Sequence, residues 1–220
     1  MRLDGVGLER ARRHLAAADP VMARLLSEAG AMPLPLHRGG SGFAYLSRAI
    51  LAQQISGAAA RSIAARVTER FGWPWRPEQL LGASDAELRG FGLSRQKVAY
   101  LRDLAAHARD GLPFQRLGRM DDERVIETLT VVKGIGRWTA EMYLMFRLGR
   151  HDVLPVDDLG IRSAMRRAYA MRALPDKRRM LRIAEAWRPY RSLACFHLWH
   201  SLDAARQAAP RPRPAPRKTR

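Results

Sequence analysis

Apolar residues along this chain recur with the 3.6-residue period of a helix, and no stretch alternates apolar and polar side chains as a half-buried strand would. That period predicts an all-α fold of about ten helices. Leu8 to Gly30 reads as helix, interrupted at Asp19-Pro20, where Asp can cap and Pro can take the first turn. Phe43 to Phe71 is a long helical stretch carrying Phe43, Leu46, Ile50, Ile55, Ile63 and Val67, with a break near Ser56-Gly57. A short helical turn is expected over Pro77–Leu81. Ser84 and Ser94 cap helices at about 85–90 and 95–109, the second ending at Gly111. Further helices are expected over Met120–Val132, Arg137–Leu148 and about 158–170, 176–187 and 190–208. Residues 210–220 are rich in Pro and Arg, and such composition predicts a disordered basic tail.

Charge says what such a helical chain would touch. Of its 220 residues, 39 are Lys or Arg against 21 Asp or Glu, a net charge of +18. A polyanion, nucleic acid first, is the partner this balance suits. A chain rich in Arg for unrelated reasons gives the same count, so charge does not say what the protein does there. With one cysteine, Cys195, the chain can form no internal disulfide and no four-thiolate cluster or zinc site. No apolar run approaches the ~20 residues of a membrane span. Met1-Arg2-Leu3-Asp4-Gly5 lacks the apolar stretch of a secretory signal. The expected setting is cytoplasmic, associated with the nucleoid.

The most informative stretch is Val131-Val132-Lys133-Gly134-Ile135-Gly136-Arg137-Trp138-Thr139-Ala140. One helix ends, two glycines around an apolar residue make a tight turn, and another helix begins. Glycine allows positive φ and lets a phosphate approach the backbone. The second helix offers unpaired N–H groups and the positive end of its dipole to that phosphate. Ile135 can pack between the helices, while Lys133 and Arg137 add formal charge. Many ordinary helix–helix turns also use Gly-x-Gly, so the stretch gains meaning from a second feature: Asp157-Asp158, twenty residues on, before another helix. An N-cap is the plain reading of such an Asp pair.

Four stretches in order carry a resemblance. They are Arg48-Ala49-Ile50-Leu51-Ala52-Gln53-Gln54-Ile55-Ser56, the hairpin Gly134-Ile135-Gly136-Arg137-Trp138-Thr139-Ala140, Leu154-Pro155-Val156-Asp157-Asp158-Leu159-Gly160 and Trp187-Arg188-Pro189-Tyr190-Arg191-Ser192-Leu193-Ala194. Together they make the chain similar to the helix-hairpin-helix DNA glycosylases, in their alkylpurine (3-methyladenine glycosylase II) branch. The resemblance implies one glycosylase domain over 1–209 in two lobes with the active site in the cleft between them. The hairpin lobe would span about 46–150, and the other the N-terminal helix with about 151–209. Similar proteins often carry an N-terminal β-rich domain, for which the stretch before Phe43 is too short. Lys133 departs from the proline usual before the first glycine, which predicts a less stiff turn.

The implied activity is hydrolytic removal of alkylated purines from double-stranded DNA, with Asp158 as catalytic carboxylate and Asp157 as cap or support. A carboxylate stabilises the oxocarbenium-like sugar and can orient or deprotonate water. A cationic alkylpurine leaves without a general acid, so one carboxylate suffices. Bifunctional relatives carry a lysine where this chain has Trp138; without that amine no Schiff base forms and no strand is nicked. Trp138 and Trp199 match pocket-lining aromatic positions, and Met142 either joins that wall or belongs to a core stripe with Phe146. Flipping the base leaves a gap for a wedge; Gln54 matches that position, with Gln53 beside it, and a buried or capping role for the pair is the alternative. DNA contacts are expected from Gln53, Gln54, Lys133, Gly134, Ile135, Gly136, Arg137 and Thr139. No cofactor or metal is needed, although the hairpin carbonyls are candidates to hold a monovalent cation. His197 and His200 lack a third ligand nearby and read as structural or solvent-facing. Trp73 and Trp75 read as packing residues, and Phe43 and Tyr45 as core residues first, with the pocket mouth as the alternative. A monomer acting on DNA is expected, without a membrane. Two rival readings remain: a glycosylase for another damaged base, and a noncatalytic binder using the hairpin only as a phosphate clip.

Overall fold

The computed structural model describes residues 5–37 and 39–208; the basic tail expected over 210–220 lies outside them. Among the described residues there are twelve α-helices and no strand, two helices more than the sequence period suggests. The chain divides into two compact units: a central one, Pro35–Pro155, and a terminal one drawn from residues up to Leu34 and from Val156 onward. No helix of the described residues is long and apolar enough to cross a membrane.

The terminal unit holds α1 (Gly5–Ala18) and α2 (Pro20–Ala29) at its start. Asp19 separates them because its carboxylate accepts from the N–H groups of Val21 (2.8 Å) and Met22 (3.3 Å), while Pro20 takes the first helical position.

The central unit begins with α3 (Gly42–Ala52), α4 (Gly57–Phe71), α5 (Pro77–Gly82), α6 (Asp85–Gly90) and α7 (Arg95–Arg109). The interruption between α3 and α4 covers residues 53–56, wider than expected, because Gln53 ends α3 and Gln54 takes φ 56°. Ser56, Ser84 and Ser94 each cap the helix that begins just after them, through the N–H three residues on. Two helices complete the unit, α8 (Asp122–Thr130), capped by Asp121, and α9 (Arg137–Met142), which continues as a π-helical turn over Tyr143–Arg147. The Met142 carbonyl, at the switch, accepts the Tyr45 phenol at 3.2 Å, so a tertiary donor sits where the regular ladder changes step. Trp75 is buried and donates to Thr68 Oγ1, as a packing residue should. Trp73 instead remains exposed beneath the Arg48 guanidinium, 5.2 Å above its ring, with Trp75 edge-on to it at 5.6 Å.

The terminal unit resumes with α10 (Leu159–Ala168), α11 (Lys177–Ala184) and α12 (Arg191–Ala208). Its core gathers Leu15, Met22, Met165, Met180, Trp187 and Leu198, all fully buried. The central core gathers Leu46, Ile50, Leu88, Leu101, Leu104 and Leu129. Within a helix such residues recur at three-, four- or seven-residue steps, which is why the period was legible.

Candidate active site

The hairpin joins α8 to α9. Val132 and Ile135 are buried beneath it, and Ile135 N–H donates to Val132 O at 3.1 Å to close the turn. Gly134 has φ 83°, and a Cβ there would run into the Tyr100 ring, so glycine is required twice over. Gly136 differs from expectation. Its φ is −89° and a Cβ there would meet nothing within 4 Å, so it leaves an open approach without needing glycine's left-handed freedom. It is the N-cap of α9 and has no capping side chain, so the first N–H groups of that helix get no help from it. Thr139, expected to meet DNA, is buried at 5% exposure.

Lys133 is where proline was expected, and the structure uses the N–H that proline lacks: it donates to Asp103 Oδ2 at 2.8 Å. Lys133 Nζ lies 3.5 Å from the other oxygen of the same carboxylate. The turn is therefore stiffened from α7. Gln53 holds it from α3, donating from Nε2 to Gly134 O at 2.8 Å. That bond commits to the hairpin a side chain expected to meet DNA. Lys97, whose pKa burial lowers, secures α3 by donating to Leu51 O at 2.7 Å. Gln54 is exposed and in the left-handed region, uncommon for a residue with a Cβ. Arg137 does not present a free charge. Its Nη1 donates to Glu123 at 3.0 Å and its Nε to Glu141 at 3.2 Å, because acids on α8 and one turn along α9 flank it.

Beside the hairpin, within the central unit, is a cavity of about 640 Å³ lined chiefly by aromatic and apolar groups. Trp138, 44% exposed, and Met142, 9% exposed, both border it, so Met142 belongs to wall and core together. Sequence reasoning placed Tyr45 in the core first, with the pocket mouth as its alternative, set Phe146 in a core stripe and passed over His37; all three line this cavity. The His37 ring stands 5.7 Å from Tyr45 and 6.2 Å from Phe146. Burial raises the Tyr45 pKa, and it pushes Tyr143 up to about 12, so both phenols are neutral at pH 7.

Asp158 belongs to the terminal unit. It is 8% exposed and caps α10: Oδ1 accepts the Ile161 N–H at 2.7 Å and the Trp199 indole Nε1–H at 3.0 Å. The capping role is thus carried by the second acid, while Asp157 is exposed. A Cβ at Gly160 would come within 2.9 Å of Asp158 Oδ1 and 3.0 Å of Trp199 Nε1, so glycine there admits the indole. Trp199, expected to stack on a base, is thereby a donor to the carboxylate.

Two further buried groups were not singled out by function. Asp19 accepts from Trp187 Nε1 (2.9 Å) and the Tyr169 hydroxyl besides its own capping bonds, tying three segments together. His197 is buried and its Nδ1 has no hydrogen-bond partner among the described residues; burial, then Arg12 and His200, push its pKa down to about 4. His200 is exposed, and no cluster of three or more metal-ligand side chains occurs among the described residues.

An all-helical fold with a glycine hairpin and a buried aspartate opening the helix beyond it defines a class of DNA-repair proteins. The chain belongs to the HhH-GPD superfamily of base excision DNA repair proteins, whose family model matches residues 47–189. It is 33% identical over 209 residues to "DNA-3-methyladenine glycosylase 1" of Schizosaccharomyces pombe, covering 92% of this chain and 91% of that one. The solved structure of the S. pombe 3-methyladenine DNA glycosylase Mag1 with abasic DNA superposes with a TM-score of 0.81 at 33% identity, covering 88% of this chain and 97% of that one. A DNA-3-methyladenine glycosidase structure from Bacillus halodurans gives 0.79 at 35% identity, covering 90% of this chain and 91% of that one.

Proposed function

We propose that this protein is a monofunctional DNA glycosylase that removes alkylated purines of the 3-methyladenine and 7-methylguanine type from double-stranded DNA, with Asp158 assisting. The observation that carries the mechanism is the environment of Asp158, a buried carboxylate with Oδ1 bound by a helix N–H and an indole. Both hydrogen bonds fix the orientation of the carboxylate at the start of α10. The family membership and the names of its relatives support the substrate class.

In this reading the hairpin grips one phosphate through main-chain N–H groups at the start of α9. Gln54 fills the gap left in the base stack, for which its exposure and left-handed backbone suit it. The extruded cationic base stacks on Trp138 beside Met142. The N-glycosidic bond then breaks, its electron pair neutralising the departing base. Positive charge develops on the sugar and is stabilised by the Asp158 carboxylate. Water adds at C1′, and its proton passes to Asp158 or solvent, leaving an abasic site. Trp138 stands where bifunctional members carry their lysine, so the strand stays intact. The protein acts as a monomer, in the cytoplasm on the nucleoid, without a cofactor.

The test is release of free bases from methylated duplex DNA by the parent protein and by Asp158→Asn. Methylpurine release by the parent alone, with strands intact until alkali is added, is expected. Equal release by both would remove Asp158 from the mechanism. Tight DNA binding without release by either would leave a noncatalytic phosphate clip.

A further inference from the structure

Several arginines of the central unit are committed to its own architecture. Arg66 donates to Phe91 O at 2.9 and 2.7 Å, Arg70 pairs with Glu87 at 2.7 Å and Arg102 with Asp85 at 2.8 Å. Arg137 is held by Glu123 and Glu141, and Arg150 lies 3.4 Å from Asp122. Helix α11 of the terminal unit behaves otherwise. Lys177, Arg178, Arg179 and Arg182 fall within its eight residues and all four are exposed. None of these side chains is paired with a carboxylate among the described residues.

Both acids that flank the helix are engaged elsewhere. Asp176 caps it, accepting the Arg179 main-chain N–H at 2.7 Å, and Glu185 lies 3.4 Å from Arg188. Met180 and Ala184 are buried, so helical geometry turns Arg178 and Arg182 to the outermost ridge, with Lys177 and Arg179 to either side. Arg178 and Arg182 are spaced i, i+4, about 6 Å along the axis, and like charges so placed repel each other. Nothing on the helix relieves that repulsion; a polyanion would.

We propose that the outer face of α11 is a second DNA-backbone contact, separate from the hairpin, that binds duplex phosphates without regard to sequence or damage. This inference rests on the reading of the chain as a DNA-binding enzyme and adds a surface to it. Planar guanidinium groups suit bidentate phosphate contacts, and each phosphate neutralised releases counterions, so the surface shows itself in the salt dependence of binding. The helix carries the surface without structural penalty, since its core side, Met180 and Ala184, is independent of the four cations.

The test measures binding of the full chain to an undamaged duplex by fluorescence anisotropy across a salt series. Arg178→Gln with Arg182→Gln is expected to lower the slope of log K against log salt by about 1.8, near 0.9 for each phosphate no longer neutralised. The paired Arg→Lys substitutions should keep the slope. Unchanged circular dichroism and melting temperature establish that the variants fold; if the pair does not, Arg178→Gln alone should lower the slope by about 0.9. An unchanged slope in a folded variant overturns the proposal. So does a loss confined to phosphatidylglycerol vesicles, which would assign the face to a membrane surface. Methylpurine release at saturating DNA should match the parent. Failure of the parent to release bases would count against the glycosylase reading while leaving the salt slope to decide the role of α11.

Discussion

The hairpin of the central unit and helix α11 of the terminal unit handle charge in opposite ways. In the central unit nearly every cation near the hairpin has an internal partner, and the turn is clamped from α3 by Gln53 and from α7 by Asp103. In the terminal unit the exposed cations of α11 have no carboxylate partner among the described residues, while the two buried aspartates are committed: Asp19 to Tyr169 and Trp187, Asp158 to Trp199. The contrast separates two ways of meeting a polyanion. In the proposed function a preorganised turn offers fixed N–H groups to one phosphate while its side-chain charge is used within the protein. A bare helical face offers mobile charge at no particular phosphate. Geometry fits the first to hold a lesion in register and the second to keep the enzyme on DNA while it searches.

That contrast can be broken at several points. The largest effect is expected at Asp158→Asn, which should lower methylpurine release about 10²–10³-fold, the scale seen when a preorganised charge-stabilising group is lost. DNA affinity measured by anisotropy should stay within a few-fold; a parallel loss of binding would mean that Asp158 holds the terminal unit together and does nothing else. Asp19→Ala leaves the Tyr169 hydroxyl and Trp187 indole without their acceptor in a buried setting. It should cost about 3 kcal/mol or more in denaturant unfolding, and a loss below about 1 kcal/mol would show that water replaces the carboxylate.

In the central unit, Gly134→Ala combines a left-handed backbone with a Cβ that overlaps the Tyr100 ring. A loss of about 2–3 kcal/mol is expected, partly recovered when Tyr100→Ala is added. No recovery would place the cost in the backbone alone. Acid should act on the terminal unit. His197 has a folded pKa of about 4, below the ordinary value near 6.5, so protonation favours the unfolded chain. Its contribution is intact above pH 6.5 and declines as pH falls toward 4, by up to about 1.4 kcal/mol per pH unit. Stability against pH should flatten over that range in His197→Leu; an unaltered curve would assign the acid sensitivity to other groups. The smallest change is expected from Gln53→Leu, which removes the donor to Gly134 O and should weaken DNA binding by about threefold to tenfold, the equivalent of about one hydrogen bond.

Much of this was legible along the chain because it is local. Caps at Ser84 and Ser94, the Asp19-Pro20 break and the hairpin glycines depend on residues within four positions of each other, and their side-chain chemistry points one way. The sequence also showed that Asp157 and Asp158 precede a helix, though not which of them caps it. The choice fell to Asp158 in a setting where Gly160 leaves room for Trp199, a partner forty-one residues away. Gln53 and Arg137 were read as facing outward for the same reason. A glutamine or an arginine beside a turn shows its donors but not the acceptor it will meet.

Periodicity, capping and glycine's backbone freedom act over short spans, so the helical class, the position of the turn and the residue types able to do the chemistry could all be read from the chain alone. Which charges are used up inside the protein, and which remain for a partner, was settled by packing. Pairing Gln53 with Gly134, Lys133 with Asp103 and Arg137 with Glu123 needs chain segments brought together by burial of their apolar faces. Hydrogen bonds form only within about 3 Å, and no linear pattern records that distance.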